Sequence, residues 1–109
     1  MPFDESLATK IDQLTNGKKG FVRKQMFGGI AYLYHGNMCV GVYKDDLIVR
    51  YDPKLAAEIT ADPHVKPFDI SGKPMKGWSL VTPAGVRGDE LLKWFELALN
   101  FAKSLPVKN

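Results

Sequence analysis

The chain has 109 residues, a formal net charge of +3 and one cysteine. That length suits one domain that buries its core without staples. A lone cysteine excludes an internal disulfide and fits a reducing compartment. The small positive charge does not by itself point to nucleic acid. The N-terminal Met-Pro-Phe-Asp-Glu-Ser lacks the basic region and apolar run of a signal peptide, and no apolar run is long enough to cross a bilayer. The expectation is a cytoplasmic protein without membrane contact.

In chain order, residues 4–15 read as a helix. Asp4 is placed to cap it, Leu7, Ile11 and Leu14 form its apolar stripe, Lys10, Asp12 and Gln13 face water, and Asn16-Gly17 ends it. Residues 21–27 read as extended chain leading into a meander. Gly28-Gly29 then marks a bulge or sharp bend. Three strands follow over residues 30–34, 38–43 and 47–51, turned by His35-Gly36-Asn37 and by Lys44-Asp45-Asp46. In the third strand Leu47, Val49 and Tyr51 share one face, and Ile48 and Arg50 share the other. Arg50 either packs its stem and leaves its head in water, or is held by an internal carboxylate.

Asp52-Pro53 starts a short second helix carrying Leu55, Ala56 and Ile59. A fourth strand is expected at residues 68–70, a turn at Ser71-Gly72-Lys73-Pro74, and a fifth strand over residues 75–82. The last helix begins at Gly88 or Asp89 and ends before Pro106. Leu91, Phe95, Ala98, Ala102 and Leu105 form its central stripe. Leu92 and Leu99 widen it on one side, and Trp94 and Phe101 on the other. An apolar arc that broad implies either a central position across the sheet or a rim that meets a partner. The predicted order is α-β-β-β-α-β-β-α. This is an α+β, two-layer fold, a five-stranded antiparallel sheet with helices on one face, forming a single domain over residues 1–109.

Few residues suggest chemistry. His35 and His64 are isolated, and no HxxxH, HxH or CxxC spacing marks a metal site. Cys39, between Met38 and Val40, reads as a small buried hydrophobe rather than a nucleophile served by His35. Asp45-Asp46 falls in a turn. No catalytic residue, metal or cofactor is expected. The candidate binding residues are the basic run Lys18, Lys19, Arg23 and Lys24, joined by Arg50 and Lys76. A basic run either solvates a turn and a strand edge or contacts phosphates, with Phe21 and Phe27 available to stack on bases.

Met26-Phe27-Gly28-Gly29, Gly36-Asn37-Met38, Leu47-Ile48-Val49-Arg50, Pro74-Met75-Lys76-Gly77-Trp78, and the ending Leu92-Lys93-Trp94 through Ser104-Leu105-Pro106 resemble the N-terminal domain of the TfoX/Sxy family of bacterial proteins. The likeness spans roughly residues 8–107. Met26, Phe27, Gly28, Gly29, Gly36 and Asn37 are its structural motif. The resemblance implies the α-β3-α-β2-α layout already read from patterning, and it brings no catalytic residues. The family is named for regulators of natural competence that carry a further helical C-terminal domain, so a stand-alone domain is expected here. A more distant likeness is to the YjbR-type domain.

Three functions compete. The first is a non-enzymatic bacterial regulatory module that binds another protein, a second copy of itself included. The second is a nucleic-acid binder using the Lys18–Lys24 run. The third is a small-molecule or thiol enzyme centred on Cys39.

Overall fold

In the computed structural model of the protein the described residues are 3–26, 28–69, 72 and 75–107. Helix α1, Glu5–Thr15, begins where the Asp4 carboxylate accepts from the N–H groups of Ser6 and Leu7 at 2.9 and 3.2 Å. These are two of the donors that a helix start leaves unpaired. The helix buries Leu7, Ala8 and Ile11.

Asp12 does not simply face water as expected. Its carboxylate lies 2.7 Å from the Tyr32 hydroxyl and 2.8 Å from the Arg23 guanidinium, tying α1 to the sheet. The same hydroxyl lies 3.0 Å from the Ala8 carbonyl, so one proton serves two acceptors. Burial, and then the bond to Asp12, hold the Tyr32 phenol above its ordinary pKa. Tyr32→Phe should therefore cost about 1–2 kcal/mol of stability. A urea titration reads this directly, and an unchanged midpoint would contradict it.

The sheet has six strands, not five. They are β1 (Phe21–Met26), β2 (Gly29–Tyr34), β3 (Asn37–Tyr43), β4 (Asp46–Arg50), β5 (Val65–Pro67) and β6 (Trp78–Val81). They lie in the order β1-β2-β3-β4-β6-β5, and each neighbouring pair is antiparallel. The additional strand is β1, which pairs with β2 from Phe21 opposite Tyr34 to Met26 opposite Gly29. Its polar centre, Arg23-Lys24-Gln25, is exposed because β1 is an edge strand. The alternation that identifies a half-buried strand is therefore missing.

The strand expected at 68–70 lies earlier, at Val65–Pro67. Pro67 is tolerated there because β5 is the opposite edge. Phe68 is buried and packs on Trp78 at 5.3 Å between ring centroids. Its apolar character thus signals packing, its carbonyl accepts the Met75 N–H at 3.3 Å, and Ile70 lies outside the described residues. Strand β6 is shorter than residues 75–82, because Met75 accepts from the N–H of Trp78 in a turn. Of the turn expected at 71–74, only Gly72 is described.

A 3-10 turn, Pro53–Leu55, capped by Asp52, leads into α2, Ala56–Thr60. A second 3-10 turn, Pro83–Val86, precedes α3, Glu90–Ser104. Asp89 stands before α3 but makes no capping bond. Among the described residues no helix is long and apolar enough to cross a membrane.

All three helices pack on one side of the sheet. Leu7 and Ile11 of α1, Ile59 of α2, and Leu91, Phe95, Ala98 and Ala102 of α3 share a core with Ile30, Tyr32, Val40, Val42, Leu47 and Val49. The opposite face carries a second cluster, Ala31, Met38, Ile48, Phe68 and Leu80, to which no helix residue belongs. Strand β3 holds a bulge. Tyr32 faces Val40 and Leu33 faces Met38, which leaves Cys39 without an opposite number. Cys39 and Val40 consequently both enter the helix-side core.

Candidate interaction surface

The structure divides the predicted basic run. Lys18 and Lys19 are exposed in the turn after α1. Arg23 lies opposite Tyr32, on the helix side, and is occupied by Asp12 at 2.8 Å. Lys24 lies opposite Ala31, on the other face. Period-two alternation thus separates two cations that are adjacent in sequence. Phe21 packs between Tyr34 and Phe95, with ring centroids 5.1 and 5.8 Å away, and so is not free to stack on a base. Phe27 lies outside the described residues.

Arg50 takes neither of its two expected settings. Its guanidinium lies over the rings of Trp78 and Phe101, 5.2 and 5.5 Å from their centroids. Among the described residues it forms no ion pair. Desolvation lowers its pKa, and the electron-rich ring faces compensate for the water it has lost. Phe101, on the rim of the α3 arc, is thereby occupied within the fold. Lys76 is exposed in the turn before Trp78, beside a cleft of about 400 Å3 that it shares with Tyr51, Phe68, Met75 and Trp78.

The motif residues serve the scaffold. Met26 packs against the second cluster. Gly28 turns β1 into β2, with Gly29 opening β2. His35 and Gly36, at φ of 49° and 86°, form the two-residue loop between β2 and β3. Asn37 is buried and donates from Nδ2 to the Pro106 carbonyl at 2.8 Å, fastening the chain after α3 to the start of β3.

Cys39 is fully buried, and desolvation pushes its thiol up to about 12. The thiolate, the nucleophilic form, is therefore negligible at neutral pH. His35 is exposed, its ring edge-on to Tyr34 at 4.4 Å, and no hydrogen bond joins it to Cys39 among the described residues.

A different surface stands out, one the sequence reading reached only in part. The groove between α2 and α3 encloses about 340 Å3. One wall is Glu58 and Ile59 of α2 with Leu55 from the 3-10 turn before it and Asp62 from the turn after it, and the α3 wall is Glu90, Lys93, Trp94 and Leu97. On α3 the offsets 0, 3, 4 and 7 place the four residues on one helical face. Trp94 is fixed by a bond from its indole Nε1 to the Gly85 carbonyl at 3.1 Å, so its ring forms a rigid side of the groove. Leu55, Trp94 and Leu97 remain half-buried while Ile59 closes the floor. The breadth of the α3 arc pointed to this rim. Leu97 and the α2 contribution were missed, although the α3 offsets were present in the sequence.

A family model described as the TfoX N-terminal domain matches residues 12–102. No curated protein and no solved structure matches the chain.

Proposed function

Because the chain belongs to the TfoX N-terminal domain family, we propose that it is a non-enzymatic regulatory module that works in the cytoplasm by binding another protein in the groove between α2 and α3. One observation carries this reading. Apolar side chains of α3 and of the segment around α2 stay half-open along a shared groove, whereas the rest of the α3 arc, apart from the exposed Leu92, is used inside the fold. Helix-lined grooves of this kind take one apolar segment of a partner.

The test is purification of the tagged chain from its native cells, with and without nuclease. A protein that co-purifies through nuclease treatment and is lost from the Leu97→Gln variant supports the reading. Glutamine keeps the size and helix preference of leucine, so the fold is retained. A partner that disappears with nuclease, or that Leu97→Gln retains in full, would overturn it.

The basic run is assigned to solvation of a turn and an open edge. Lys18→Gln with Lys19→Gln should shift stability by no more than about 0.5 kcal/mol. Fluorescence anisotropy against single- and double-stranded DNA and RNA should show no tight complex at moderate salt. A phosphate-binding run would behave differently, with log affinity falling against log salt by roughly 0.7–0.9 per contact. Micromolar binding at moderate salt, abolished by the double replacement, would make nucleic acid the leading partner.

A further inference from the structure

We propose that the α2–α3 groove receives a basic amphipathic helix, a segment with apolar side chains on one face and Lys or Arg flanking them. This rests on the interaction reading above and specifies the chemistry of the partner. The chain as a whole is positive, at +3, yet the rim of this groove is not. Glu58, Asp62 and Glu90 border it against the single cation Lys93. Lys93 is already engaged by Glu90 at 3.3 Å. Among the described residues Glu58 has no ion-pair partner, and the Asp62 carboxylate accepts only the backbone N–H of His64. Two carboxylates four residues apart therefore stand beside a half-open apolar groove with no ion pair to either among the described residues.

Their placement sets the shape of the occupant. The α3 wall runs from Glu90 to Leu97, about 10 Å at helical rise. That length accepts apolar residues spaced i, i+3, i+4 and i+7 on a docking helix. Side chains flanking such a stripe would emerge beside Glu58 and Asp62, where Lys or Arg gains and Asp or Glu is repelled. A segment of uniformly apolar character would leave both carboxylates beside dry surface without recompense.

The probe is a fluorescent helical peptide built of leucine at the i, i+3, i+4, i+7 positions and lysine elsewhere, with a twin carrying glutamate for lysine. The lysine peptide should bind and the glutamate twin should not, and rising salt should weaken the complex. Glu58→Gln with Asp62→Asn should weaken binding by roughly 2- to 30-fold, from about 0.2–1 kcal/mol per exposed charge pair. The control is Glu5→Gln with Glu96→Gln, which changes the net charge equally at exposed positions outside the groove. It should leave binding unchanged.

Equal binding of the two peptides, or an equal loss in the control variant, would overturn the proposal. So would a self-associated chain that dissociates on Glu58→Gln with Asp62→Asn, since the occupant would then be a second copy. If the co-purifying partner survives nuclease and depends on Leu97 but the peptides bind alike, the interaction reading stands and only the basic character of the partner is lost.

Discussion

Gly29→Val is expected to destabilise the fold by at least about 3 kcal/mol, or to prevent folding, because no side chain fits at that position. A Cβ on Gly29 would be driven into the backbone carbonyl of Val42 on the neighbouring strand. The obstacle is main chain within a central hydrogen-bonded ladder, so no rotamer change relieves it. The adjacent Gly28 fails for a different reason. It has open space around it but sits at φ +76°, a conformation that costs non-glycine residues about 1–2 kcal/mol and β-branched residues more. Gly28→Asn should therefore be tolerated far better than Gly28→Val, while no substitution rescues Gly29. Urea unfolding of the three variants provides the comparison. Wild-type midpoints for both valine variants would contradict the account of this hairpin.

The second large effect is loss of stability at alkaline pH. The buried Cys39 thiol is raised from an ordinary 9.0 to about 12 by desolvation alone. The folded chain thus keeps this proton to higher pH than the unfolded chain does. The contribution is fully present below pH 9.0 and is lost as pH rises through about 12. The slope follows because the unfolded state binds fewer protons across that window. A shift of three units corresponds to about 4 kcal/mol at its limit. Tyr32 acts in the same direction from its ordinary value of 10.0 upward. Cys39→Ala leaves a small void, so its absolute stability drops, but its stability-against-pH curve should be flatter between pH 9 and 11. Parallel curves for the two proteins would show that the thiol is not desolvated. The same burial predicts slow labelling of the native thiol.

Much of the scaffold was legible because local signals agreed with the tertiary result. Asp4 and Asp52 mark helix starts by side-chain capping, which is a local event. Leu47, Val49 and Tyr51 enter the helix-side core and Ile48 the opposite cluster, as alternation requires. The misreadings occurred where long-range packing decided the outcome. Strand β1 is an edge, so its polar centre concealed it. Strand β5 is three residues ending in proline, and its place is fixed by β6 rather than by its own composition. The expected sharp bend at Gly28-Gly29 is the turn from β1 into β2, with Gly28 at φ +76°, while the bulge at Cys39 had no local signal.

The candidate surface was less legible than the scaffold. A charge run reads as a patch in sequence, but alternation placed Arg23 and Lys24 on opposite faces and Asp12 took the first of them. Arg50 offered a choice between water and a carboxylate, and the rings of Trp78 and Phe101 supplied a third answer that requires knowing which strand lies beside β4. The groove needs two helices brought together. Neither 55, 58, 59, 62 nor 90, 93, 94, 97 marks a surface until the other lies beside it.

The central claim is that the chain meets its partner at this groove and not at its basic run. Site-specific photocrosslinking in the native cells measures that most directly. A photoreactive side chain would be placed in turn at Leu97 in the groove and at Lys19 in the exposed turn after α1. The account predicts a discrete protein adduct from position 97, unaffected by nuclease, and none from position 19. A nucleic-acid adduct from position 19, with position 97 silent, would contradict it.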